Sequence, residues 1–221
     1  MSTTPRTAVG RPRGFDADQA LDHALEVFWQ HGYEGASLSD LTEAMGINKT
    51  SMYAAFGNKR DLFDKALARY AKVDMAYVRT ALAAPTARQV AETYLRENVN
   101  AVTSAGRPAG CFTVQTGLAC GPANADVTAT LAHARRAGEL AMRDRFRHAI
   151  DDGDLDPAHD PDDLARYIMT VSEGLAVHAS AGATRNDLDR VVDLALHAIP
   201  TTTGRRPRRA QRPASRVDHP T

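Results

Sequence analysis

One short segment of the chain carries amine, hydroxyl and small side chains along one face of a predicted helix. At a helix N-terminus, amines and hydroxyls suit phosphate oxygens and base edges, and a small residue can contact a thymine methyl group. From Ala44 to Arg60 there is no Asp or Glu, so the local charge favours a polyanion although the whole chain has zero formal net charge. The pattern predicts contact with nucleic acid. The residues of this face are Lys49, Thr50, Ser51, Tyr53 and Ala54.

Two short predicted helices position this face. Ser37 is expected to cap the first one, with Asp40 adding negative charge where the helix dipole favours it, and Gly46 stands where a left-handed residue would end it. Asn48 is expected to cap the second, which runs to Phe56. Two such helices joined by a turn with glycine form a helix-turn-helix, whose second helix enters the major groove of DNA. An unrelated αα-hairpin is the alternative, because short capped helices with glycine turns are common.

The chain around these helices carries a longer signature. HGYEGASLSDLTEAMGI is followed directly by NKTSMYAAFGNKRDLFDKAL, and residues 15 to 67 as a whole resemble the tetracycline-repressor-like (TetR) family of bacterial transcriptional regulators. The resemblance implies a ligand-responsive DNA-binding protein that acts as a repressor. It also implies phosphate contacts for Tyr53 and Lys59, a backbone contact for Ser37, and base contacts for Lys49, Thr50, Ser51 and Ala54.

Two positions depart from the commonest family pattern. Thr50 stands where glycine is frequent, and Ala54 with Ala55 stands where the family often has bulky Tyr or His. The docking mode follows from the resemblance, whereas the base preference stays open.

The fold is predicted to be all-α. Aromatic residues make up only 6% of the chain, and no segment of useful length alternates as a strand would. A first helix from about Asp16 to His31 completes a three-helix DNA-binding domain. Apolar spacing predicts a long fourth helix, capped by Asn58 and continuous to Ala83, about 35 to 40 Å in length. The resemblance implies that this helix transmits ligand-induced movement to the DNA-binding domain.

We expect four regions along the chain. Residues 1–14 form a disordered basic arm, 15–60 the helix-turn-helix domain, 61–199 a helical effector-binding and dimerisation domain, and 200–221 a disordered Arg-rich tail. The arm either follows DNA or is a solvated leader. The tail either adds non-specific DNA affinity or keeps the protein soluble.

The second domain is expected to bind a small, mostly apolar effector. Helices are predicted at about 86–103, 111–120, 124–150, 162–181 and 186–199. The resemblance implies a pocket between the fifth to eighth helices. Candidate lining residues combine aromatic rings with a few polar groups, although each is individually more typical of a core. They are Tyr94, Asn98, Cys111, Phe112, Gln115, Thr116, Met142, Phe146 and Tyr167.

The last two predicted helices, within about 162–199, carry apolar stripes and are joined by a short turn. Such a hairpin can pair with its copy, and the resemblance implies a homodimer of this kind. A dimer presents two recognition helices about one DNA turn apart, so we expect an inverted-repeat operator.

Cys111 allows two interpretations. It follows Gly110 and is expected to open a helix, where the helix dipole lowers the pKa of a thiol and makes it reactive toward electrophiles or oxidants. Cysteine is also among the most buried residue types, and the adjacent Phe112 is typical of a core. A sensor thiol and an inert core thiol both stay open at this point.

Other classes of function find little support. The chain contains no known catalytic motif and no spacing of metal ligands, so no enzyme activity, cofactor or metal is expected. The acidic turn 152–163 has Pro157 where a calcium loop requires glycine. No run is long enough to cross a membrane and no signal peptide is present, so we expect a cytoplasmic location. The alternatives are an effector-independent architectural DNA-binding protein and, less favoured, an all-α enzyme or scaffold.

Overall fold

The computed structural model of the protein describes residues 15–199, which form an all-helical fold without strands in that range. The two basic termini expected at 1–14 and 200–221 lie outside the described residues. The prediction of an all-α fold is confirmed. The helices are α1 (Ala17–Gly35), α2 (Leu38–Ala44), α3 (Lys49–Phe56), α4 (Lys59–Val73), α5 (Tyr77–Leu82), α6 (Ala87–Val102), α7 (Phe112–Leu118), α8 (Ala125–Asp151), α9 (Pro161–Ser180) and α10 (Arg185–His197), with a short 3₁₀ turn at Pro122–Asn124.

Side-chain caps start the helices of the DNA-binding motif as predicted. Ser37 Oγ accepts from the backbone N–H of Asp40 at 3.1 Å, and Asp40 Oδ2 accepts from the N–H of Ser37 at 3.0 Å. Asn48 Oδ1 accepts from the N–H of Ser51 at 2.8 Å and begins α3. These bonds satisfy donors that a helix N-terminus otherwise leaves free. Between the two helices, Gly46 takes the left-handed conformation with φ of 65°.

An apolar core holds α1 to α4 together. Phe28 of α1 and Phe63 of α4 are fully buried, and their rings meet edge to face at 5.1 Å between centroids. Leu41 and Met52 bring α2 and α3 onto the same core. We call α1 to α4 the head and α5 to α10 the body.

The prediction of one continuous helix to Ala83 was wrong, because α4 ends at Val73 and α5 begins only at Tyr77. The carbonyl of Tyr70 accepts from both Asp74 N (2.9 Å) and Met75 N (3.1 Å), so the helical hydrogen-bond register slips at this point. With 15 residues, α4 is about 22 Å long.

The body packs around α6. This helix lies against α5, α9 and α10, and α8 packs along α9. Two ion pairs also join α6 to α10, since Arg96 contacts Asp189 at 3.1 Å and Asp193 at 2.5 Å. The helices α9 and α10 are joined by a short turn, as predicted, and the predicted helices of this part agree with the observed ones to within one or two residues at most ends.

Candidate nucleic-acid interface and ligand cavity

The structure gathers the predicted DNA-contacting residues of α3 on one outward face. Lys49, Thr50, Tyr53 and Ala54 are exposed, and Ser51 is half-buried. Tyr53 exposes 48% of its surface, which is unusual for an aromatic residue beside a packed core. Met52 and Phe56 on the opposite side are buried and fix the rotation of the helix. The contacts of this face with DNA stay a prediction.

The other two predicted contact residues lie at helix N-termini. Ser37 is the exposed N-cap of α2, and Lys59 is the first residue of α4. The Lys59 amine sits 4.7 Å from the centre of the Tyr33 ring, a cation–π contact that holds the side chain in place. Burial lowers the pKa of Lys59, an effect that Glu34 partly offsets. Free backbone N–H groups at the N-termini of α2 and α4 add partial positive charge, which favours a phosphate group.

Arg60, the third basic residue of the acid-free segment, ties α4 to α8. Its guanidinium pairs with Asp64 at 3.0 Å, contacts Asp126 and donates to Thr130 Oγ1 at 2.6 Å. The side chain is therefore engaged within the protein, and the head is joined to the body beside the start of α4.

Beneath the head, a cavity of about 340 Å³ lies between α4, α5, α6, α7, α8 and α9. Its volume is in the range of small-molecule sites. Most of its wall is apolar, as the predicted effector requires. The apolar lining residues are Leu67, Ala71, Met75, Val78, Val114, Ala134, Gly138 and Met169.

The predicted effector residues divide into two groups. Tyr94, Asn98 and Cys111 line the cavity. The structure places the remaining six elsewhere, in helix-to-helix contacts. These are Phe112, Gln115, Thr116, Met142, Phe146 and Tyr167.

Three of those six join the head to the body. The Phe112 ring packs 5.6 Å from that of Phe63 and 6.0 Å from that of Trp29. Gln115 Oε1 accepts from Trp29 Nε1 at 2.8 Å, and Thr116 Oγ1 lies 3.5 Å from a backbone carbonyl of α1. Their position in α7, beside the head, explains why they face α1 and not the cavity.

The other three lie within the body. Met142 and Phe146 of α8 are fully buried in its core. The Tyr167 hydroxyl donates to the Ala195 carbonyl at 3.2 Å and links α9 to α10. A tyrosine engaged in this way serves the helix hairpin that was predicted to dimerise.

Several residues that line the cavity were not predicted from the sequence. Arg135 of α8 and Glu173 of α9 lie 3.5 Å apart, and Arg135 also donates to the Thr113 carbonyl at 2.8 Å. Burial raises the pKa of Glu173, and Arg135 partly offsets this. The sequence did contain a signal for Glu173. This charged residue falls between Val171 and Leu175, two residues of the apolar stripe of the helix.

Cys111 is buried in the cavity wall with two polar neighbours. Its Sγ lies 3.2 Å from the Tyr70 hydroxyl and 3.3 Å from Thr113 Oγ1. Burial, with the nearby thiol contributing, raises the pKa of Tyr70 well above its usual range. Cys111 is the N-cap residue of α7, as predicted, and is only 8% exposed. Its role as a sensor stays a prediction.

A cluster of charges joins α1, the end of α4 and the loop before α7. Arg107 pairs with Asp74 at 2.8 Å, Glu26 at 3.1 Å and Asp22 at 3.2 Å. Arg69 of α4 binds the same Asp22 at 2.6 Å. The hydrogen bond from Arg69 lowers the pKa of Asp22, whereas burial raises that of Asp74.

Across residues 15–199 no three His, Cys, Asp or Glu side chains come together as metal ligands. None of the described helices has the length and hydropathy needed to cross a membrane.

Comparison with known proteins accounts for both parts of the chain. Residues 20–66 match the model of the bacterial regulatory proteins of the tetR family, and residues 86–195 match the tetracyclin repressor-like C-terminal domain. A curated relative, the HTH-type transcriptional repressor ComR of Escherichia coli, is 32% identical over 193 residues, which cover 86% of this chain and 92% of ComR.

Solved structures of TetR-family regulators have a similar fold. A cysteine-substituted form of the TetR family transcriptional regulator CifR, complexed with 26-bp double-strand operator DNA, is 44% identical with a TM-score of 0.82, covering 86% of this chain and 100% of that one. A TetR transcriptional regulator from Rhodococcus sp. RHA1 is 42% identical with a TM-score of 0.59, covering 82% of this chain and 98% of that one. The chain therefore belongs to the TetR family of bacterial regulatory proteins and is a DNA-binding transcriptional regulator, not an enzyme.

Proposed function

We propose that the protein is a cytoplasmic repressor that binds an inverted-repeat operator as a homodimer and is released by a small, mostly apolar effector. The observation that carries this proposal is that α4, which directly follows the DNA-binding motif, also lines the cavity. Leu67, Tyr70 and Ala71 of α4 line the cavity, while the first turn of the same helix holds Lys59 at the predicted DNA face.

A ligand in this cavity contacts α4 itself. Because α4 packs along α1 and is joined to α8 through Arg60, a displacement at Tyr70 moves the base of the head. The effector weakens DNA binding only to the extent that it binds more tightly to the dimer whose heads are wrongly spaced. The proposal therefore requires two arrangements of α4 that differ in affinity for the ligand.

The outer surface of α9 and α10 supports a dimer at the predicted hairpin. Val177, Val191 and Leu194 expose 43%, 45% and 71% of their surfaces, although each is apolar. Exposed apolar residues grouped on two neighbouring helices are typical of an interface between protein chains. A two-fold dimer places two α3 helices about 34 Å apart on one side of the duplex.

The DNA target is proposed from the exposed face of α3. Its amine and hydroxyls match phosphate and base-edge chemistry, and the CifR neighbour is a complex with operator DNA. We assign residues 15–60 to DNA binding, and residues 61–199 to effector binding and dimerisation.

Fluorescence anisotropy tests the proposal directly. Full-length protein is titrated onto DNA flanking its own gene and onto a random duplex, across a salt series. Preference for the flanking DNA by about a thousandfold or more is expected of a specific regulator. Other candidate operators can be compared with the random duplex in the same way. If every candidate binds no more tightly than the random duplex, and binding depends steeply on salt, the protein is architectural.

A further inference from the structure

The cavity reaches solvent beside two helices. Of the lining residues within 15–199, three are exposed, namely Ala71, Lys72 and Arg79. Ala71 and Lys72 belong to the last turns of α4, and Arg79 belongs to α5. The other lining residues are buried or half-buried. The mouth of the cavity therefore lies at the break between α4 and α5.

Two of the three residues at this mouth are cations without an ion-pair partner. Neither Lys72 nor Arg79 pairs with a carboxylate in the part of the chain that the structure describes. Asp74, which lies between them in the sequence, is engaged by Arg107 at 2.8 Å. A lysine amine and an arginine guanidinium beside one opening favour an anion there, and the planar guanidinium matches a carboxylate in particular.

The other charges of the cavity wall offset each other. Arg135 Nε lies 3.5 Å from Glu173 Oε1, and the same guanidinium donates to the Thr113 carbonyl at 2.8 Å. The lining as a whole carries three cations and one carboxylate. Its surplus of positive charge is therefore concentrated at the mouth, while the interior is mostly apolar.

This distribution distinguishes between kinds of ligand. A charge placed deep in the apolar interior would lose its hydration without gaining a free partner, which is costly. A charge left at the mouth stays partly hydrated. There an anionic group is attracted by both cations and a cationic group is repelled, whereas a neutral group makes no use of them.

We propose that the cavity binds an amphiphilic carboxylate, whose apolar tail fills the interior and whose carboxylate pairs with Lys72 and Arg79 at the mouth. This inference rests on the proposed effector-binding function and specifies its ligand class. The bound carboxylate bridges the last turn of α4 to α5, so the ligand acts on the helix whose first residue is Lys59.

Isothermal titration calorimetry of the full-length protein at neutral pH compares three ligands with similar chains and different head-group charges. They are octanoate, 1-octanol and octylammonium. We expect octanoate to bind at least about fivefold more tightly than octanol, and octylammonium to bind most weakly. Added salt should weaken the binding of octanoate but not that of octanol, because salt screens charges that are exposed to solvent.

Charge variants at the mouth test the two cations. In Lys72→Gln with Arg79→Gln, octanoate should lose its advantage over octanol. In Lys72→Glu with Arg79→Glu, octylammonium should bind more tightly than octanoate. Arg136→Gln with Arg147→Gln is the matched control, because it removes the same charge from exposed side chains that do not line the cavity. This control must keep the advantage of octanoate.

The inference is overturned if the wild-type protein does not bind octanoate, or binds it no more tightly than octanol. It is also overturned if the Gln variant at the mouth keeps the preference. A cation in the last turn of a helix also stabilises the helix dipole, and that role alone predicts no order of affinity that follows ligand charge. The comparison on the wild-type protein decides the question even if a variant fails to fold.

Operator anisotropy at saturating ligand tests the proposed function separately. If octanoate binds as expected but leaves the affinity for DNA unchanged, the effector mechanism is wrong and the ligand class stands. If octanol binds as tightly as octanoate and releases DNA equally well, the ligand class is wrong and the mechanism stands.

Discussion

Arg107 Nε lies 2.8 Å from Asp74 Oδ1, so the loop before α7 is tied to the turn at which α4 ends. The same guanidinium reaches Asp22 and Glu26 of α1. One side chain of the body thus fixes two parts of the head, at the level where the cavity begins.

Replacing Arg107 with Ala should lower the free energy of unfolding by about 2–4 kcal/mol, because the carboxylates of Asp74 and Asp22 lose a buried partner. Arg107 and Asp74 expose only 18% and 13% of their side chains. Urea unfolding followed by circular dichroism measures the change. Arg147→Ala is the control, since its side chain is 51% exposed and its pairs are long, at 3.5 and 3.9 Å. Equal losses in both variants would contradict this assignment.

Asp22→Asn should destabilise the protein in a pH-dependent way. The hydrogen bond from Arg69, assisted by Arg107, lowers the pKa of Asp22. A carboxyl whose pKa falls on folding stabilises the protein above its unfolded pKa of about 3.9, and this stabilisation is lost as pH falls through the lowered folded pKa. The stability gap between wild type and variant is therefore widest near neutral pH and closes in acid. Asp18→Asn, at an 80% exposed side chain, should show almost no gap. A gap for Asp22→Asn that did not vary with pH would rule out this origin.

Lys59→Ala should reduce the salt dependence of operator binding. If the Lys59 amine contacts a phosphate, removing it lowers the slope of log affinity against log salt by about 1. Anisotropy titrations at several salt concentrations give the slope. Lys72→Ala serves as the control on the same helix, because Lys72 lies in the last turn of α4 beside the cavity. Identical slopes for wild type and Lys59→Ala would remove Lys59 from the interface.

Two glycine substitutions should have opposite effects on stability. At Gly138, inside α8, an added Cβ would lie 3.7 Å from Met169 Cε, an ordinary contact. Gly138→Ala should therefore raise stability by about 0.5–1 kcal/mol through helix propensity. Gly110 has φ of +99°, and its Cβ would lie 2.5 Å from Gln115 Nε2, so Gly110→Ala should destabilise. Thermal unfolding compares the two, and a lower melting temperature for Gly138→Ala would contradict the first expectation.

Local chemistry explains why the DNA-binding motif could be predicted from the sequence. Ser37, Asn48 and Asn58 each cap a helix by accepting from a backbone N–H three residues ahead. The glycine at position 46 adopts the positive φ that the turn requires. Each cap lies three residues from the backbone group that it binds, so the order of residue types was sufficient.

The break after Val73 coincides with a contact to a residue that is distant in sequence. No proline or glycine stands between Val73 and Tyr77, and apolar residues continue at helical spacing across the gap. Arg107, which pairs with Asp74, lies 33 residues further along the chain. A local pattern cannot register such a contact, so the sequence predicted a helix that continues.

The cavity lining was predictable only in part for a similar reason. Tyr94 and Phe112 are both buried aromatic residues of the body, yet Tyr94 lines the cavity and Phe112 packs against the head. Which of the two residues faces the cavity depends on where α7 meets α1. Tertiary packing sets the position of that contact. The Arg135–Glu173 pair likewise arises from two helices that are distant in sequence.

Phe112 begins α7 in the body, but its ring completes the aromatic packing of Trp29 and Phe63 in the head. A hybrid regulator would join the DNA-binding helices of one protein to the ligand-binding helices of another. For this protein, a crossover between α4 and α6 would separate Phe112 and Gln115 from their partners on α1. A functional hybrid must therefore take α7 from the same protein as α1 and α4, even though the chain would have to be joined at additional points.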